Sequence, residues 1–191
     1  MNYTISKNKR NKIVVSTLIL ILNYVLLGFS TQLENIKTFD IIEKTVIDIL
    51  FIAAYGYILF VIYDYFKHYK EDKLKLFALL ILIGEITNQI FSLINSFVPI
   101  IPELLTGFLT FVTLICMLIW VILLLRMKSE YPALKSLTKF AVGQIAAFGV
   151  GIIFSIIILF GEFYAFHDII YVLIAIPYVY IIEFAFKLKK H

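Results

Sequence analysis

Cysteine, proline and arginine are scarce in this 191-residue chain. The single cysteine, Cys116, excludes an intramolecular disulfide. Four prolines leave long stretches without a helix breaker. Charged residues make up 16% of the sequence, against about a quarter in ordinary soluble domains. Catalytic signatures are missing as well: there is no H-E-x-x-H, no G-x-S-x-G and no glycine-rich phosphate loop. A thiol peptidase built on Cys116 would need a nearby histidine. His68 and His191 instead sit in basic stretches, and His167 sits at the edge of an apolar run. Asp64 and Glu183 are about half a bilayer from Glu85 by helical rise, too far for paired-carboxylate chemistry. Residues Glu162, His167 and Asp168 form a poor cation set with one histidine and read as a solvated loop. The sequence therefore assigns no catalytic residue, no metal and no cofactor.

What is present is hydrocarbon. Hydrophobic residues make up 62% of the chain and its mean hydropathy is +0.97. Six apolar runs, at 13–29, 46–66, 76–97, 104–125, 137–160 and 168–186, are each close to the roughly 20 residues that cross a bilayer. They are continuous rather than alternating, and backbone in lipid must satisfy its own hydrogen bonds. Helices are predicted, not barrel strands. The expected fold is all-α: a compact bundle of six transmembrane helices in a single membrane domain spanning residues 1–191.

The net charge of +4 is topological rather than a signal for nucleic acid. Fifteen of the seventeen basic residues fall before the first run, between the second and third, between the fourth and fifth, or after the sixth. Only Lys37 and Lys44 lie on the other side, among Glu34, Asp40, Glu43, Asp48, Glu103, Glu162 and Asp168. The positive-inside rule then places both termini in the cytoplasm, in the cell membrane. The same basic loops can touch anionic headgroups. A basic start followed by an apolar run ending Gly28-Phe29-Ser30 resembles a secretory leader. The run exceeds the usual 7–15 residues, so it is read as a retained span; cleavage would leave five spans. Two arginines amid abundant isoleucine, lysine and asparagine point to an AT-rich bacterial genome.

The third run breaks the apolar pattern. At 100° per residue, Glu85, Asn88, Gln89, Ser92, Asn95 and Ser96 share about 120° of one helix face, and Leu79, Ile83, Ile86, Ile90 and Ile94 occupy the other. Folding back through Pro99 and Pro102 makes runs three and four antiparallel neighbours. This places Glu85 level with Cys116, Asn88 near Thr113 and Ser92 near Thr110. Thr106, Thr110 and Thr113 answer with a hydroxyl ladder. Asn23, Tyr55, Tyr57 and Tyr178 fall at similar depth. Such groups serve either as interhelical glue, worth about 0.6 kcal/mol per bond, or as a solute or proton site. Glue accounts for the hydroxyls and amides. It accounts less well for Glu85, which has no basic residue within any apolar run. Glu85 is expected to hold its proton and donate it to a neighbour, and so to be a proton-coupling candidate. The binding candidates are Glu85, Asn88, Gln89, Ser92, Asn23 and Thr113.

Gly143, Ala147, Gly151 and Ser155 recur every fourth residue, a small-residue stripe read as intramolecular helix packing, with homo-oligomerisation as the alternative. Pro177 should kink the last run and free a carbonyl. Asp64 is expected to pair with Lys67 or His68, and Glu183 with Lys187.

Two functions fit this pattern. The first, favoured by the sequence, is a non-catalytic accessory or immunity-type protein acting through the lipid bilayer, another membrane protein or secretion machinery. The second is a small transporter or permease with a midplane polar site around Glu85.

Overall fold

The computed structural model describes residues 3–33, 41–98, 100–127, 133–161 and 167–190; the side chains of 27–33, 41–44, 96, 155–161, 167–169, 189 and 190 lie outside that description. The described chain is almost entirely helical. Its helices are α1 (Lys7–Leu33), α2 (Ile41–His68), α3 (Asp72–Phe97), α4 (Glu103–Arg126), α5 (Leu134–Gly161), α6 (His167–Ala175) and α7 (Val179–Lys187). A 3-10 turn at Ile176–Tyr178 separates the last two, so the sixth apolar run is a broken helix with Pro177 at the break. Most helices outrun their apolar cores, because the flanking polar residues are helix formers that continue the hydrogen-bond ladder into the interface.

Among the described residues, five segments are long and apolar enough to cross a membrane: Thr45–His68, Asp72–Asn95, Glu103–Arg126, Leu134–Phe154 and Ile170–Lys187. α1 carries the remaining apolar run behind its basic first turns.

The helices close into a ring. From α2 to α6 each packs on the one before it in sequence, α7 packs on α5, and α6 and α7 return to pack on α1. Connections are short where they are described. Three residues join α2 to α3, with Lys70 in the left-handed region at φ 59°, a conformation that costs a non-glycine residue on the order of 1 kcal/mol.

Packing is uneven along the bundle axis. The fully buried large side chains, including Tyr65, Phe66, Trp120, Leu124, Leu137 and Phe184, gather toward the end that carries most of the lysines, here called the basic end. Tyr65 is their hub, meeting Tyr3, Phe66, Tyr69 and Phe184 edge-on at ring distances of 5.6, 5.2, 4.9 and 5.3 Å. Lipid tails are as apolar as these side chains, so the gain is dispersion and ring geometry rather than release of water. Toward the opposite, acidic end, the first turns of α4 stand away from the bundle, with Leu104 85% exposed.

The termini meet at the basic end. Thr4–Ile5 (β1) pairs in parallel with Lys189–Lys190 (β2), a two-residue ladder that the helical periodicity gave no reason to expect. Beside it Asp64 takes an unexpected partner. Its carboxylate accepts from the Tyr3 hydroxyl at 2.6 Å and from Lys9 at 2.8 Å, instead of pairing with Lys67 or His68 one turn on. His68 packs edge-on against the Tyr3 ring, and the Tyr69 hydroxyl accepts the Tyr3 backbone N–H at 3.0 Å. Burial, with the Asp64 carboxylate beside it, holds the Tyr3 hydroxyl protonated well above the ordinary tyrosine range. The expected ion pair of Glu183 with Lys187 forms at 2.5 Å, and Lys139 approaches the same carboxylate at 3.5 Å.

Candidate functional site

The polar face of α3 meets the threonine ladder of α4. Each threonine returns its hydroxyl proton to its own helix: Thr106 to the Glu103 carbonyl at 2.8 Å, Thr110 to Thr106 at 2.9 Å and Thr113 to Leu109 at 2.9 Å. That leaves oxygen lone pairs for a neighbour. Thr110 uses one to accept from the Asn88 amide at 3.0 Å. Asn95 closes the turn between the helices, gripping the Ile101 peptide from both sides: its oxygen accepts the N–H at 2.9 Å and its amide donates to the carbonyl at 3.0 Å.

This grip shifts the expected register. Asn88 meets Thr110, not Thr113, and Thr113 lies against Gly84. The offset of three residues is about one helical turn, roughly 4.5 Å. A symmetrical turn through the two prolines would have produced the expected pairing. Asn95 instead draws Ile101 down beside the last turn of α3, so α4 starts lower.

The upper part of the two helices does not close into a dry seam. A cleft of about 780 Å³ lies between them. Asn88, Gln89, Ser92 and Asn95 line it from α3. Glu103, Thr106, Gly107 and Thr110 line it from α4. A side chain added at Gly107 would meet open space. The opposite face of α3 carries Ile83, Ile90 and Ile94, all substantially exposed and suited to lipid.

Glu85 sits one turn nearer the basic end than the cleft residues and is half-buried. It lies within electrostatic range of Tyr24 on α1, Tyr55 on α2 and Tyr178 in the 3-10 turn. Those tyrosines belong to one aromatic cluster. Tyr24 stacks on Tyr178 at 5.7 Å. Phe51 stacks on Tyr55 at 5.9 Å and meets Tyr24 edge-on, while Phe140 meets Tyr178 from α5. Aromatic rings from four elements thus gather in one cluster, and none of them lines the cleft.

The remaining candidates fall elsewhere. Thr113 is 4% exposed, sealed beneath Gly84, and Asn23 is 6% exposed beside Tyr24 on α1; neither lines the cleft. Tyr57 lines a separate groove with Asn11 and Ser16 near the basic end. On α5, a side chain at Gly143 would press on Pro177 at 2.9 Å and one at Gly151 on Ile170 at 3.3 Å, with Ala147 buried between them; the Ser155 side chain lies outside the described residues. Glu162 and the side chains of His167 and Asp168 also lie outside them, as do Pro99 and Pro132.

Sequence reasoning overlooked two residues. Gly84 was hidden because a lone glycine in an apolar helix has no visible partner. Gln144 is buried, and its amide donates to the Ile174 carbonyl at 3.3 Å, just ahead of the Pro177 break. A glutamine within an apolar run one residue from Gly143 was the available signal.

Chemically, the cleft presents amides and hydroxyls that both donate and accept, with one carboxylate at its mouth and another below its floor. Among the described residues no three His, Cys, Asp or Glu side chains converge as a metal site would require. In comparisons with known proteins, the chain matches no family model, no curated protein and no solved structure.

Proposed function

We propose that this chain is a six-span membrane protein with both termini in the cytoplasm, which admits a small polar solute from the opposite side into the cleft between α3 and α4. Glu85 stands at the inner end of that route as the group able to exchange a proton or bind the solute. The reading is that of a small transporter or permease. The observation that carries it is the cleft itself: a stripe meant only as glue would be consumed by bonds between the two helices, whereas the Gln89 amide and the Glu103 carboxylate border open volume. The placement of fifteen of seventeen basic residues supports the orientation. α1 completes the count of six, since its apolar run lies within a continuous helix packed on α2 and α6.

The accessory or immunity-type reading keeps one support. Asn88 and Asn95 do spend their amides on α4 and its turn, as packing groups would. A melting-temperature screen of the purified protein separates the two readings, with sugars, amino acids, amines and small carboxylates as probes. The transporter reading predicts that at least one solute class raises the wild-type melting temperature. Gln89→Leu, which replaces the lining amide with hydrocarbon, should then abolish the rise, and Glu85→Gln should weaken binding of an amine by about tenfold, since a cationic solute is met by the ionised carboxylate in a charge-assisted contact. A flat response across all classes favours the accessory reading.

A further inference from the structure

A second groove, of about 580 Å³, opens at the basic end of the bundle between α4 and α5, the loosest contact in the ring. Its lining combines lysines with hydrocarbon. Lys135, Thr138 and Lys139 stand at i, i+3 and i+4 on the first turns of α5, where that helix enters the membrane. Hydrocarbon surrounds them: Leu124 and Leu125 from the last turn of α4, Met127 just after it, and Leu134, Val142 and Gly143 from α5. Val142 lies seven residues past Lys135, about 10 Å along the helix. Leu125 and Val142 are both well exposed. Lys135 makes no ion pair among the described residues. Lys139 shares Glu183 at 3.5 Å with the closer Lys187 and rests over the Tyr180 ring at 5.2 Å.

We propose that this groove is a binding site for one anionic phospholipid of the leaflet at the basic end. Its phosphate is held by Lys135 and Lys139, and one acyl chain lies along Leu125 and Val142. The occupant follows from that combination. A soluble anion has no use for the apolar trench, and a zwitterionic lipid gains little from two lysines at headgroup depth. An amphiphile with a negative head matches both halves. The lipid would also fill the gap between α4 and α5, turning the loosest contact in the ring into a lipid-mediated one. This inference is independent of the cleft at the opposite end.

The test is native mass spectrometry of the full chain released from bilayers of phosphatidylcholine with or without phosphatidylglycerol. Retained lipids are counted for wild type, for Lys135→Gln/Lys139→Gln, for Val142→Phe, and for a control pair outside the groove, Lys67→Gln/Lys73→Gln. Retention of one phosphatidylglycerol by wild type is expected. The groove lysine pair should lower it roughly thirtyfold, as two lost headgroup contacts predict. Val142→Phe, which alters no charge, should also lower it, while the control pair leaves it unchanged. Equal loss in the control pair would reduce the effect to general surface charge and overturn the proposal. Equal retention of phosphatidylcholine would overturn it too, as would displacement of the lipid by inorganic phosphate alone, which would mark a site for soluble anions. A dimer seated through Val142 in place of lipid would assign the groove to a second copy instead.

Discussion

Gly84 shows how much of the α3–α4 interface rests on one missing methyl group. The Thr113 side chain occupies the space where a Cβ on residue 84 would go. Gly84→Ala should therefore overpack the pair and cost about 1–3 kcal/mol, the usual penalty for an added methylene in a filled site. In a Thr113→Ala background the penalty should fall to a few tenths, because most of the obstructing atoms are gone. Thermal unfolding in detergent of the two single variants and the double variant reads this coupling directly. Equal cost in both backgrounds would show that the close approach is absent. The stripe beginning at Glu85 was legible in the sequence, since polar residues on a helix announce themselves by period. Gly84 was not, because its meaning depends on a threonine 29 residues away.

At the scale of elements, the sixth run is the informative one. Pro177 has no N–H to give, and the helix breaks into a 3-10 turn around it. Gln144, a full helix away in sequence, supplies a donor to the Ile174 carbonyl at that break, and Gly143 makes room for the proline ring. Gln144→Leu should destabilise the protein by about 1–2 kcal/mol by leaving a carbonyl unmet in a dry interior. In a Pro177→Ala background, where the helix can take the carbonyl back, the same substitution should cost less. Additive losses in thermal unfolding would separate the glutamine from the break. The existence and order of the helices were readable from apolar run length alone. The vertical register of α3 against α4 was not, because Asn95 sets it through one peptide of the turn. Nor was the partner of Asp64. Local spacing favoured Lys67, while the folded chain brings in Lys9 and Tyr3 from the far terminus.

Across the whole molecule two asymmetries coincide. Charge and packing both concentrate at one end: the lysines, the large buried aromatics and the paired termini lie together, and the polar cleft opens toward the other. Net charge distribution was plain in the sequence. Ring closure was not, since α1 meeting α6 and α7 is a contact between opposite ends of the chain. The pairing of residues 4–5 with 189–190 was equally hidden, as two residues carry no strand period. The proposed function is that of a bundle accessible from the acidic end, with Glu85 one turn below the open cleft and within electrostatic range of the aromatic cluster. That claim can be checked on intact cells. Cys116→Ser removes the only thiol, Ser92→Cys places one on the cleft wall, and Ile100→Cys, 70% exposed in the connection between α3 and α4, serves as the control. On the proposed orientation, a membrane-impermeant thiol reagent should label Ser92→Cys at a rate comparable to the control, because water would then reach the cleft from outside. A labelled control beside an unlabelled Ser92→Cys would contradict the account, leaving the polar face of α3 as a dry packing surface and Glu85 as a buried hydrogen-bonding group.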